Sequence, residues 1–413
     1  MKILLIGIIL LLPVSNLLAS EEEFKTDVDI DINYYYSYPR NSYLNPENIL
    51  STDRNRLNFN AETSMKYSIK PMVLSFGLRY FYNPPFSFLE EKAFPDDKNI
   101  IFLDEAKIRW DIKDNASFTF GRQRFFWGPG FIKNPINVLN PPTDFRKPFF
   151  RLEEKSGVTG ITASFYSEST TVTGVIIPNK FKEKYSQEYT LGSENKKDTI
   201  GTLKVDTIIL NTDTTFLLAM QEGESPKYGF AFSKIIQDVE IHGEMLLRKG
   251  SRRRYINSQT FIEERYKDSD RFFGSYIVGL RYRSPSGHDF LVEYYRNDSG
   301  YNDKESNEFI SLIKDQRFAG IGNIIFWQDT LRKNYLFFRA GLLDILPKLS
   351  IELLFIYNMD DKGYLIGSGL EYRVSEKVKA YLNTRYLSGS KKSEFGMIPN
   401  KYTISSGIKV SLL

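Results

Sequence analysis

One feature restricts the fold of this chain more than any other: side chains alternate with a period of two along segments too long for a soluble strand. From 26 to 36 the sequence reads TDVDIDINYYY, with Val28, Ile30, Ile32 and Tyr34 on one face and Asp27, Asp29, Asp31 and Asn33 on the other. Successive strand side chains point to opposite sides, so the pattern sets an apolar face against an ionised one. It recurs from 56 to 67, where Leu57, Phe59, Ala61 and Met65 oppose Arg56, Asn58, Asn60 and Glu62. It recurs again from 105 to 112, where Ala106, Ile108, Trp110 and Ile112 oppose Glu105, Lys107, Arg109 and Asp111. Strands of soluble sandwiches average about 5–6 residues. These segments run to about 10–12, the length a tilted strand needs to cross a bilayer. In lipid every backbone group must be paired within the protein, so a spanning sheet has to close. The expected fold is all-β: a transmembrane antiparallel up-and-down β-barrel.

Eighteen such segments are found between residues 26 and 412, an even number that leaves both termini on one side. The stretch 317–327, FAGIGNIIFWQ, reads equally as a strand, and the count would then move to 16 or 20. Counting it would put the polar 389–400 segment on the side of the tight turns, so it is assigned to a loop. Phe309, Leu312 and Ile313 in the same long connection are spaced for a short helix. Connections alternate short and long, as periplasmic turns and extracellular loops do. Tyr34, Tyr36, Tyr67, Tyr80, Tyr282, Tyr357, Tyr372 and Tyr386 sit near segment ends, matching interfacial girdles.

Composition excludes several classes. After residue 20 there is no apolar run near the roughly 18 residues of a spanning helix, and mean hydropathy is −0.34. The net charge of +4 is too small an excess to suggest nucleic acid binding. There is no cysteine, which excludes disulfides, thiolate metal sites and a lipid-bearing N-terminal cysteine. With only His242 and His288, no multi-histidine metal site is available, and no cofactor or metal is expected. Residues 1–20 read as a signal peptide: Lys2, then the apolar stretch Ile3 to Leu12, then Ala19 and Ser20, with Leu18 departing from the usual small residue. Residues 21–413 then form a single outer-membrane barrel domain.

The last segment alternates Tyr402, Ile404, Ile408, Val410 and Leu412 with Thr403, Ser405, Gly407, Lys409 and Ser411. It resembles the C-terminal signal read by the barrel-assembly machinery, although it ends in Leu413 rather than Phe. An ordinary closing strand would use the same residues.

The one local motif is Gly121 to Pro142, GRQRFFWGPGFIKNPINVLNPP. Its prolines oppose regular structure, and its apolar side chains would be costly in open water. The expectation is an inward fold that makes a constriction or partial plug; a cap over the barrel mouth is the alternative. Arg122 and Arg124 share parity with lipid-facing Phe120, so either a bulge re-aims them or they lie at the rim. Gly121, Arg122, Gln123, Trp127, Gly128, Asn134, Pro135, Leu139, Asn140 and Pro141 resemble a motif of bacterial outer-membrane porin-like barrels, the alginate-export type among them. That resemblance implies an 18-stranded channel and is nearly silent on substrate.

By parity the lumen receives Arg56, Arg79, Lys107, Arg109, Arg281, Arg283, Arg339, Arg373 and Arg385, together with Lys204, Arg248, Lys379 and Lys409. Asp27, Asp29, Asp31, Glu62, Glu105, Asp111, Asp206, Glu240, Glu244, Glu293, Glu352 and Glu371 face the same way. An arginine-lined path would favour anionic solutes; a lining of mutually neutralised pairs would only keep it wet. The run Arg252–Arg254 suits either lipopolysaccharide phosphates or a solvated loop. His242 between Glu240 and Glu244 is a conceivable acid–base cluster, but no nucleophile in an esterase or phospholipase context accompanies it, so no enzyme is expected. The function read from the sequence is passive diffusion of small hydrophilic solutes through the outer membrane. Its partners would be outer-membrane lipids and lipopolysaccharide, the barrel-assembly machinery and the solute. The alternatives are export of an anionic polysaccharide, or a plugged structural or surface-binding barrel.

Overall fold

A computed structural model describes residues 23–46, 55–82, 99–140, 145–146, 157–178, 199–251, 253–256, 263–265, 270–315, 319–327 and 329–412. The leader 1–20, Pro141 and Leu413 lie outside these residues.

Alternation becomes strands where it was read. They are β1 (Glu23–Pro39), β2 (Asn55–Ile69), β3 (Met72–Tyr82), β4 (Asn99–Lys113), β5 (Ala116–Gln123), β6 (Val158–Tyr166), β7 (Thr170–Ile177), β8 (Ile200–Ile209), β9 (Thr212–Gln221), β10 (Lys227–Ile236) and β11 (Val239–Lys249). A two-stranded hairpin, β12 (Arg254–Ile256) and β13 (Glu263–Arg265), stands apart from the barrel and has no counterpart in the sequence reading. The barrel continues with β14 (Phe272–Arg283), β15 (Asp289–Asn297), β16 (Asn334–Leu346), β17 (Leu349–Asn358), β18 (Tyr364–Arg373), β19 (Val378–Ser388) and β20 (Asn400–Ser411). Eighteen strands form one sheet. β1 pairs with β2 on one side (Asp31 opposite Asn60) and with β20 on the other (Asp31 opposite Lys409), so the antiparallel sheet closes and leaves no edge.

The outer surface carries the apolar set: Leu57, Ile101, Trp110, Phe120, Val278 and Ile408 are exposed. Tyr36 and Tyr38 of β1 gather on Tyr402 of β20, the latter pair stacked at 4.9 Å, as part of an aromatic belt at the long-loop end. At the other end the turns are tight. Leu210 and Asn211 both have positive φ (49° and 56°) between Ile209 and Thr212, the left-handed two-residue turn that matches strand twist.

Within the ambiguous 317–327 stretch the described residues form a helix, not a strand: α2 (Ala319–Phe326) follows α1 (Asp303–Ile313) in the same long connection. α1 begins with a capping box, Asn302 accepting from the Glu305 amide at 2.9 Å and Glu305 from the Asn302 amide at 2.8 Å. Phe309, Ile310, Leu312 and Ile313 of α1 and Phe326 of α2 are buried against inward residues such as Tyr335 of β16 and Phe395 of a short helix, α3 (Glu394–Met397). The apolar residues of this connection thus find their core inside the barrel mouth.

One register irregularity matters. Between Gly77 and Leu78 of β3, β4 carries an extra residue, so Leu78 pairs with Leu103 and Gly77 with Glu105. The bulged residue, Asp104, joins Glu105 on the inner face although simple parity assigns it to lipid. It is buried in a two-pronged ion pair with Arg79.

Candidate functional site

The segment after β5 is aimed by Gly121, whose φ of 118° is left-handed territory where any Cβ would meet the Ala106 carbonyl. This kink resolves the parity conflict at the two arginines. Arg122 is buried and its Nε donates to the Leu103 carbonyl. Arg124 turns to the Glu105 carboxylate, 3.9 Å away. Gln123 accepts a bond from Thr162 at 3.1 Å, fixing the end of the strand.

Beyond it the chain folds on itself and then on the opposite wall. Asn140 Oδ1 accepts from the Phe125 amide (3.2 Å), and Asn137 donates to the Phe125 carbonyl (3.2 Å). Asparagines supply the donors and acceptors that regular structure would otherwise provide. Trp127 packs edge-on against Phe125 at 5.3 Å. Trp127, Ile136 and Leu139 join Val175, Ile200 and Leu217 in one apolar cluster, while Ile132 and Phe145 enter a second with Ile277 and Phe337. Each fully buried side chain of this size contributes about 1.5–3 kcal/mol.

Two carboxylates on the barrel wall take up the segment's backbone amides. Glu244 of β11 accepts from Gly130 N (2.6 Å), Asn134 Nδ2 (3.1 Å) and Ile136 N (3.2 Å). Glu293 of β15 accepts from Phe131 N (2.7 Å) and Ile132 N (3.0 Å). Gly128, with φ of 82°, lies so close to Glu244 that a Cβ would enter the carboxylate. His242 puts Nε2 2.9 Å from Glu293 and Nδ1 3.9 Å from Glu240, so the cluster read as a conceivable acid–base site orients a loop-holding carboxylate. The segment's far end, Phe145–Arg146, is held by Arg385 of β19 through both carbonyls (2.9 and 2.6 Å). Gly121–Asn140 therefore runs from β5 across the barrel interior to walls built from β11 and β15, and Phe145–Arg146 lies against β19. Pro135 lies within the described part; Pro141 does not.

At the long-loop end a second polar centre ties the connections together. Glu394 accepts from Arg146 Nη1 (2.9 Å), Leu331 N (2.7 Å), Tyr335 OH (2.5 Å) and Asn358 Nδ2 (2.8 Å). Its own amide donates to Asp361 at 2.8 Å. Burial and the Glu394 charge push the Asp361 carboxyl up to about 7. Nothing in local sequence marks Glu394; it becomes a hub only when four connections meet.

The predicted lining residues are nearly all engaged with carboxylates or carbonyls. Arg79 holds Asp104; Lys107 meets Glu105 at 2.8 Å, and Arg109 meets Asp111 at 2.8 Å. Arg281 grips Asp289 through Nε (2.7 Å) and Nη2 (2.9 Å). Arg339 reaches the same Asp289 and also Glu352, each at 2.8 Å, with its guanidinium 4.5 Å over Phe131. Arg283 faces Asp289 in register, Arg56 faces Tyr35, and Arg373 lies 3.7 Å from Asp344. Lys204, Lys379 and Lys409 pair with Asp206, Glu371 and Asp29. Asp289, which shares parity with Glu293, and Asp104 are the interior acids that the sequence reading did not name. Among the described residues no group of His, Asp or Glu is arranged to hold a metal ion.

No family model and no curated protein matches the sequence. Solved structures do match. OccAB1 of Acinetobacter baumannii aligns over 94% of this chain and 97% of its own, with a TM-score of 0.57 at 10% identity. OccK8 (OprE) of Pseudomonas aeruginosa aligns over 95% and 99%, with a TM-score of 0.56 at 10% identity. A BenF-like porin from Pseudomonas fluorescens Pf-5 aligns over 94% and 98%, with a TM-score of 0.55 at 9% identity. At such identities the likeness is one of fold, and the chain has the closed 18-stranded antiparallel barrel fold of outer-membrane porins.

Proposed function

We propose that the protein is a porin-like channel of the outer membrane that passes small hydrophilic solutes by diffusion. The observation that carries this reading is a closed barrel, apolar outside, with the 121–140 segment docked across its interior on Glu244 and Glu293. An 18-stranded barrel is wide enough for an aqueous path, and an inward segment narrows it. The name of the BenF-like porin agrees with this reading. The residues expected to line the path are those of the charged wall, and the segment supplies the constriction. The reading contains no catalytic step.

The paired lining favours weak charge selectivity over an anion-selective arginine path, because each neutralised guanidinium contributes little net field. The alginate-export likeness rests on the 121–142 motif alone, and export of a polysaccharide gains no support from a segment anchored this firmly. A plugged barrel is favoured by a different observation: inward residues of the long-loop half, among them Asn58, Tyr335 and Leu387, are nearly inaccessible. Contacts with lipopolysaccharide at the loop end, and recognition of β20 by the assembly machinery, belong to the same proposal. Single-channel recording from purified, heat-modifiable protein in planar bilayers is the test. Stepwise ohmic conductance is expected; folded protein that never conducts would sink the channel reading in favour of the plugged barrel.

A further inference from the structure

The basic run Arg252–Arg254 takes no part in conduction. Arg252 lies outside the described residues. Arg253 and Arg254 are each only 3% exposed, so these two arginines do not belong to a solvated face.

Arg253 is fixed on two sides. Nη1 donates to the Thr330 carbonyl at 2.5 Å, and the guanidinium carbon lies 4.4 Å over the ring of Tyr301. The remaining edge, Nε and Nη2, is buried and meets no hydrogen-bond acceptor among the described residues. That edge is the fork with which a guanidinium takes two oxygens at once. This chain uses the same Nε–Nη2 edge twice for carboxylates, in Arg281 on Asp289 and in Arg79 on Asp104. In Arg253 the same edge holds no carboxylate among the described residues; Tyr301 is its side-chain neighbour and Asp329 the acid that feels its charge.

The connection that supplies Thr330 holds a second buried guanidinium, already paired with one acid. Arg332, 4% exposed, donates Nη1 to the Asn302 carbonyl at 3.1 Å and Nη2 to Asp303, and its Nε is also buried without an acceptor. The nearby acid, Asp329, is taken up by other donors: Asn297 Nδ2 (3.0 Å), Thr330 N (2.7 Å) and Lys133 Nζ (3.4 Å). Buried, cationic donors are the most costly to leave unmet, and an anion is what meets them.

We propose that the Nε–Nη2 edge of Arg253 is the centre of an oxyanion site among the long loops, with Arg332 as the second cation. Its ligand carries two oxygens on one centre, as a phosphate or a carboxylate does. A bound oxyanion ties the 250–271 connection to the 298–333 connection, which contributes Thr330, Tyr301 and Arg332. The site stands independently of whether the barrel conducts.

The test is calorimetric titration of the purified full-length protein in detergent and chloride buffer, with inorganic phosphate in one arm and sodium acetate in the other. Saturable one-to-one binding of either is expected, and the arm that binds says whether the site takes a tetrahedral or a planar anion. Arg253→Lys keeps the charge but removes the fork, and it should weaken binding by at least about tenfold. Arg253→Gln should abolish binding, and Lys391→Gln, which removes an exposed charge at the same end of the barrel, should leave it intact. Heat-modifiable migration verifies folding, and if Arg253→Gln does not fold, Arg253→Lys decides. No binding of either anion to the unmodified protein, or binding unchanged in Arg253→Lys, would overturn the proposal. A preparation that binds phosphate but does not conduct would refute the channel and leave this site standing.

Discussion

Arg146 and Glu394 meet 2.9 Å apart with both side chains wholly buried, although 248 positions separate them in the chain. The pair links the inward segment to the connection between β19 and β20, and Tyr335, Asn358 and Leu331 complete the carboxylate's shell. A buried ion pair is weak evidence for net stability, but losing one partner leaves the other charged and unsolvated.

Glu394→Ala is therefore expected to cost about 3–5 kcal/mol. The loss should appear as a lower midpoint of heat-induced migration shift, together with noisier single-channel current. An unchanged midpoint would mean that Arg146 finds another partner.

Glu244→Gln and Glu293→Gln should release the inward segment in steps. Each puts an amide NH₂ beside backbone donors that need an acceptor, at about 1–3 kcal/mol per unmet donor. The expected outcome is a larger unitary conductance in each variant and a larger one still in the double variant. Equal conductance in all four proteins would show that the segment does not set the width of the path.

Asp289 neutralises Arg281 and Arg339 together. Asp289→Asn should leave Arg281 without its carboxylate and Arg339 with Glu352 alone, so reversal potentials in a salt gradient should move towards anion preference, from near zero in the unmodified protein. A shift towards cations would contradict the assigned inner-wall orientation.

Asp361 lies in the outer connection between β17 and β18, and its folded-state value is raised to about 7. The unfolded chain releases this proton near the ordinary aspartate value of about 3.9. Between those values the folded state holds a proton that the unfolded state does not, so stability falls as pH rises from about 4 to about 7 and levels off above. Asp361→Asn should flatten that slope in thermal unfolding followed from pH 5 to pH 8. A variant with the same slope as the parent would assign it to another group.

Strand positions were legible because lipid on one face and water on the other impose a period of two on every crossing, as in Val28–Tyr34 against Asp27–Asn33. The α1 helix was legible from the spacing of Phe309, Leu312 and Ile313. Asp104 was not, because a single inserted residue in β4 reverses parity, and nothing local reports a bulge whose cause is the register with β3. The acid–base look of Glu240, His242 and Glu244 was legible as a cluster, but its use was not, since the donors it serves lie more than a hundred positions away.

While helix α2 within 317–327 kept the count at eighteen, the order of apolar and ionic side chains by itself determined the barrel, where its crossings lie and which end carries the long connections. These follow from short-range rules: one hydrogen-bonding partner per backbone group, and one solvent per face. Tertiary structure alone decided what fills the barrel. Whether Arg122 faces lipid, whether Glu244 belongs to an acid–base cluster or clamps amides, and whether Arg253 meets an acceptor depend on groups brought together from distant positions. Burial makes those meetings decisive, because an unpaired charge out of water costs more than any local preference can offset.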